Sequence, residues 1–132
     1  MSDIIKITKD KERIKSIFEM VDLIEKRIKA DNKNQFLPLI LSDYYAVIKE
    51  LMTAILICDG YKILSHKDLI EYLEKNYRIF NKSEIISIDN LRMIRNRIVY
   101  EGFKVSPDIL INHESIFLRV IEKLKVLIRG KI

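Results

Sequence analysis

Four side chains in one short stretch have the types and the spacing for phosphate chemistry: Arg92, Arg95, Asn96 and Tyr100. On a helical wheel advancing about 100° per residue from Leu91, the residues Ile88, Leu91, Ile94, Ile98 and Val99 form one apolar arc, and Arg95 falls inside it, about 40° from Leu91. Arg92, Asn96 and Tyr100 follow as an adjacent column at i, i+4 and i+8. A permanently charged guanidinium thus stands where a leucine would be expected. Burying an unpaired charge costs several kcal/mol, so Arg95 calls for a carboxylate or a phosphate. Asp43 and Glu50, seven residues apart on the preceding long helix, are the supporting acids that the spacing offers. Two readings stay open: an Arg95–carboxylate pair (or an arginine reaching out to water) that only fixes packing, or a functional anion site.

Charge is uneven along the chain. The formal net charge is +5. Residues 92–104 carry Arg92, Arg95, Arg97 and Lys104 against Glu101; residues 119–131 carry Arg119, Lys123, Lys125, Arg129 and Lys131 against Glu122. Such segments form either a footprint for phosphates, with Arg92, Arg95 and Arg97 as its binding residues, or a solvated surface balanced by acids elsewhere.

Other chemistry finds little support. His113-Glu114 opens like a zinc-protease motif, but Phe117 stands where the second His must be. Two histidines and one cysteine do not make a closed zinc site, so no metal and no cofactor is expected. His66 reads as a cap or surface residue beside a helix start. Cys58 lies in an apolar run and reads as a buried, inert thiol. There is no Gly-rich phosphate loop and no nucleophile elbow.

The elements that must position these residues are helices. With 3 Gly and 2 Pro in 132 residues, tight turns are few, which argues against sandwiches and barrels and for a few long helices. The length suits one domain over residues 1–132. Apolar periodicity predicts a helix from about Asp10 to Ala30 and a second from Phe36 or Leu37 to Asp59, stopped by Gly60. A short third runs from Ser65 to Asn76 and a fourth from Ser83 to Tyr100, closed by Gly102. A fifth is opened by Ser106-Pro107-Asp108, and its pattern allows a break near Asn112. The second helix is apolar over more than one stripe, which suits a central position or a second face covered by a partner. The fold class is therefore all-α, an up-and-down four-helix bundle with an additional short helix. The longest apolar run, Leu51–Cys58, is too short to span a membrane. The start, MSDIIKITKDKER, has no apolar signal region, so a cytoplasmic protein is expected.

The stretch Leu91-Arg92-Met93-Ile94-Arg95-Asn96-Arg97-Ile98-Val99-Tyr100-Glu101-Gly102 resembles the signature helix of HEPN domains, especially archaeal and bacterial ones that accompany small nucleotidyltransferases. In that family an arginine is followed by a polar residue and, five or so positions on, by a histidine; Arg95 and Asn96 match. The segment from Asp43 through Gly60-Tyr61-Lys62 to Ser65-His66 and Leu69-Ile70-Glu71-Tyr72-Leu73 resembles the family's second and third helices, so the likeness covers most of the chain after residue 40. The resemblance implies a homodimer whose signature helices meet. It implies RNA or nucleotide as ligand and, in toxin–antitoxin or related systems, a small nucleotidyltransferase as partner. Family ribonucleases use arginine to hold the scissile phosphate and histidine to move a proton, without a metal. Here Tyr100 replaces that histidine, and a phenol with an ordinary pKa of about 10 is a poor base near neutrality. Gly102 stands where some family toxins carry a modifiable tyrosine. These departures favour RNA or nucleotide binding with little or no catalysis. The alternative is a metal-independent endoribonuclease using Arg95, Asn96 and a Tyr100-modified site.

Overall fold

The computed structural model describes residues 4–102 and 104–132. The chain runs β1 (Ile4–Lys6), α1 (Lys11–Ala30), α2 (Leu37–Asp59), β2 (Tyr61–Ile63), α3 (His66–Asn76), α4 (Lys82–Glu101) and α5 (Pro107–Arg129). It is an all-α bundle of four long helices with one short helix, as the periodicity predicts. The one addition is a two-stranded antiparallel ribbon that pairs Ile5 with Lys62. α5 passes through Asn112 without a break.

Sequence-local chemistry sets the helix ends. Asp10 caps α1 by accepting from the Arg13 N–H at 3.1 Å. Gly60 ends α2 at φ +84°, the left-handed conformation that a Cβ disfavours, and turns the chain directly into β2. Ser65 caps α3 by accepting from the Asp68 N–H. Asn81 and Glu84 form a reciprocal capping box at the start of α4, one residue earlier than the sequence boundary.

α2 is the central helix. It packs against α1, α3, α4, α5 and β2, and most of its residues are buried. Its broad apolar cover is therefore absorbed within one chain, because it has neighbours on nearly every side. Tyr44 meets Phe117 of α5 with ring centroids 5.5 Å apart. Bridges fix the helices around it: Arg27 of α1 holds Asp43 of α2 through two bonds of 2.8 and 2.6 Å. At the opposite end Asp59 accepts from Tyr72, Tyr77 and Lys131, joining α2, α3 and the chain end after α5.

α4 has two unlike halves. Its buried residues, Glu84, Ile85, Ser87, Ile88 and Leu91, all lie in the first half. Beyond Leu91 the helix is only partly covered. Ile94 and Ile98 are half-buried, and Val99, which the wheel puts in the apolar arc, is exposed. No helix among the described residues is long and apolar enough to cross a membrane.

Candidate anion site between α2, α3 and α4

α2 presents different faces to different neighbours. Two residues of helix turn the chain by about 200°, so Asp43 and Tyr45 point to nearly opposite sides. Asp43 faces α1, where Arg27 takes both of its oxygens. Tyr45, buried to 1% exposure, is on the side where α4 packs, and the Arg95 guanidinium carbon sits 5.6 Å from its ring centroid. The expected pairing of Arg95 with Asp43 or Glu50 is therefore not formed. Glu50 instead accepts from its neighbour Lys49 at 2.6 Å. The seven-residue spacing identified a shared face of α2 but not which helix that face meets.

Arg95 is half-buried, and no carboxylate among the described residues lies within ion-pair reach of it. Its Nη1 donates to Asn96 Oδ1 at 2.9 Å, so the Arg-Asn pair is one hydrogen-bonded unit. The aromatic face below and the amide beside it hold the guanidinium in place while leaving its charge uncompensated. Arg92, only 16% exposed in its side chain, is tied to Asp89 by a 2.9 Å bond one turn back on α4.

Tyr45 is the floor of this cluster. Its hydroxyl is buried and has no hydrogen-bond partner. A buried hydroxyl left without a partner costs about 1–3 kcal/mol. Burial pushes its phenol up to about 12, against the pull of Arg92 and Arg95, so it is a neutral donor at ordinary pH. His66, the first residue of α3, leans on the same tyrosine with ring centroids 5.8 Å apart. Burial lowers the pKa of its imidazole, as do the charges of Lys49, Arg95 and Arg92; Glu50 pulls the other way. The site therefore gathers Tyr45 and Lys49 from α2, His66 from α3, and Arg92, Arg95 and Asn96 from α4.

The sequence spacing singles out the α4 members of this cluster but not Tyr45, Lys49 or His66. Tyr45 and Lys49 stand at i and i+4 on one face of α2, a spacing that could have drawn attention. His66 reads in its local sequence as a cap or surface residue. Nothing local to it signals that the turn at Gly60 folds α3 back against Tyr45.

The structure separates other predicted members. Arg97 lines a groove of about 370 Å3 between α4 and α5, with His113 and Phe117 opposite, and does not join Arg92 and Arg95. It lies 3.9 Å from Glu101. Tyr100 is 78% exposed near the end of α4. The second basic segment is largely neutralised internally. Arg119 and Lys123 both bind the fully buried Glu84 at 2.8 Å, Lys125 binds Glu25 at 2.6 Å, and Lys131 binds Asp59 at 3.0 Å. It is thus mostly a set of bridges between helices rather than a phosphate footprint.

Two further details bear on chemistry. Cys58 is half-buried, and burial pushes its thiol up, away from a nucleophilic thiolate. Glu114, beside His113, accepts from the Tyr44 hydroxyl at 2.6 Å and from Lys33 at 2.9 Å, a packing role. Among the described residues, no three of His, Cys, Asp and Glu gather where they would hold a metal ion. No family model matches the chain, and no curated protein or solved structure matches it.

Proposed function

We propose that the chain is a HEPN-type domain that binds the phosphate of an RNA or nucleotide at Arg92, Arg95 and Asn96, with little or no catalysis. The observation that carries this reading is Arg95: half-buried, placed over the Tyr45 ring, fixed by Asn96 and without a carboxylate partner. A guanidinium pre-organised in that way has its charge and donors available for a tetrahedral oxyanion. The signature-helix resemblance supplies the ligand class. Within the same proposal, the chain works in the cytoplasm as a homodimer whose cleft carries the site. It serves beside a small nucleotidyltransferase of a toxin–antitoxin or related system.

Binding is favoured over cleavage by the surroundings of Tyr100. A proton-transfer group works best in a site that holds its geometry and excludes water, whereas Tyr100 is largely in solvent. Fluorescence anisotropy with a labelled single-stranded RNA at low salt tests the reading. Arg95→Ala should weaken binding about tenfold or more, since charge-assisted hydrogen bonds contribute about 1.5–3 kcal/mol. RNA recovered from the mixture should be intact. Binding indifferent to Arg95→Ala and Arg92→Ala would overturn the site. Robust cleavage lost in Tyr100→Phe would replace the binding reading with the ribonuclease.

A further inference from the structure

We propose that His66 is a third arm of the anion site, so that a doubly charged oxyanion held by Arg92 and Arg95 is bound together with a proton on the His66 imidazole. The inference rests on the phosphate-binding reading of the same cluster and names the ligand end that it takes: a terminal phosphate monoester rather than the internal diester of an RNA backbone.

Three observations converge on it. Arg95 and His66 lie against one aromatic ring, 5.6 and 5.8 Å from the centroid of Tyr45, although they come from different helices. The Tyr45 hydroxyl is buried with no partner, so the floor of the cluster holds an unused donor. His66 also opens an eleven-residue helix whose free N–H groups and dipole favour an anion there.

The charges around the imidazole set the coupling. From α2 come Lys49, which opposes a proton on it, and Glu50, which favours one; from α4 come Arg92 and Arg95, which both oppose it. Asp89 of α4 is bonded to Arg92. Lys62 of β2 is exposed, and Asp68 lies in the first turn of α3 itself. With the site empty, burial and the charges of Lys49, Arg95 and Arg92 disfavour a proton on His66. Lys49 is balanced by Glu50 and Arg92 by Asp89, which leaves one net positive charge on Arg95. A monoanionic diester is balanced by Arg95 alone. A dianion leaves one negative charge over, which a proton taken from solvent by His66 neutralises.

Proton NMR of the two histidines provides the test, with His113 on α5 as an internal reference. The probes are sulfate, a dianion that does not titrate near neutrality, and dimethyl phosphate, a monoanionic diester. Each is compared with chloride at equal ionic strength. Sulfate should raise the pKa of His66 by about one pH unit, saturably, and leave His113 unmoved. Reciprocally, sulfate should bind about tenfold more tightly when His66 is protonated than when it is neutral. Dimethyl phosphate should move His66 far less, and Arg95→Gln should abolish the sulfate effect. His66 unmoved by sulfate, or both histidines moving alike, would overturn the third arm. An equal response to dimethyl phosphate would overturn the choice of a terminal phosphate. If RNA ignores Arg95→Ala while sulfate still moves His66, the RNA reading falls and the third arm stands; the converse pattern removes only the third arm.

Discussion

Tyr45 carries a hydroxyl that the fold buries and leaves without a partner, and this makes Tyr45→Phe an informative substitution. Removing a hydrogen-bonded hydroxyl from a core destabilises; removing an orphan relieves its desolvation cost while keeping the ring's packing. Tyr45→Phe should therefore leave stability unchanged or raise it by about 1 kcal/mol, read as the midpoint of urea denaturation. A loss of about 1 kcal/mol or more would mean that the hydroxyl has a partner in solution. Arg95 shows what was legible at this scale. Its place in an apolar arc could be read from spacing, and the structure makes it half-buried. The identity of its neighbour could not be read. Spacing within α2 says which residues share a face, but only tertiary packing says that Asp43 meets Arg27 and that Tyr45 meets Arg95.

α4 owes its position to its first half. Glu84 is fully buried, yet it is satisfied three ways: by Arg119, by Lys123 and by the Asn81 N–H of the capping box. Burial pushes its carboxyl up, but those hydrogen bonds outweigh burial and leave it below its ordinary value near 4.5. With a pKa lower in the folded chain than in the unfolded one, the unfolded chain binds more protons across that interval. The stabilisation is therefore complete above about pH 4.5 and is lost as pH falls through the folded value. Thermal melts should show a smaller acid loss in Glu84→Gln than in the native chain, since Glu114, also held below its ordinary value, still contributes, and Glu84→Gln should be less stable at neutral pH. Replacing Arg119 and Lys123 together by Ala would strand a buried carboxylate and should cost about 3–5 kcal/mol. An acid profile of Glu84→Gln identical to the native one would refute the assignment. The helix itself was legible from apolar spacing and from Gly102. Its anchor was not, because Arg119 and Lys123 lie more than thirty residues from Glu84 and read as surface charge. The ribbon of β1 and β2 was equally hidden: three-residue strands carry too few side chains to show a period of two.

At the scale of the molecule, α4 leaves an apolar face exposed along much of its length. The breadth of α2 no longer argues for a partner, since α2 is enclosed by its own chain. Ile86, Met93 and Tyr100, which are 49%, 44% and 78% exposed, recur every seven residues on α4. Seven residues bring a helix back to within about 20° of the same direction, so these side chains form one stripe. Apolar residues at that spacing suit the seam between two packed helices. The stripe also runs beside the Arg92, Asn96 and Tyr100 column, so a second copy laid along it would border the proposed anion site with its own α4. Symmetry sharpens the expectation. In a two-fold pair the same patch meets itself, and the middle of the stripe, Met93, falls near the axis and meets its own counterpart. Light scattering at micromolar concentration should then give about twice the 15.7 kDa mass of the chain. Met93→Glu would set two like charges against each other across the axis and should return the protein to a monomer. Because Met93 is already substantially exposed within one chain, its helical content and cooperative melting should survive the substitution. A native monomer at that concentration would dismiss the pairing outright, and a dimer untouched by Met93→Glu would move the seam to another face.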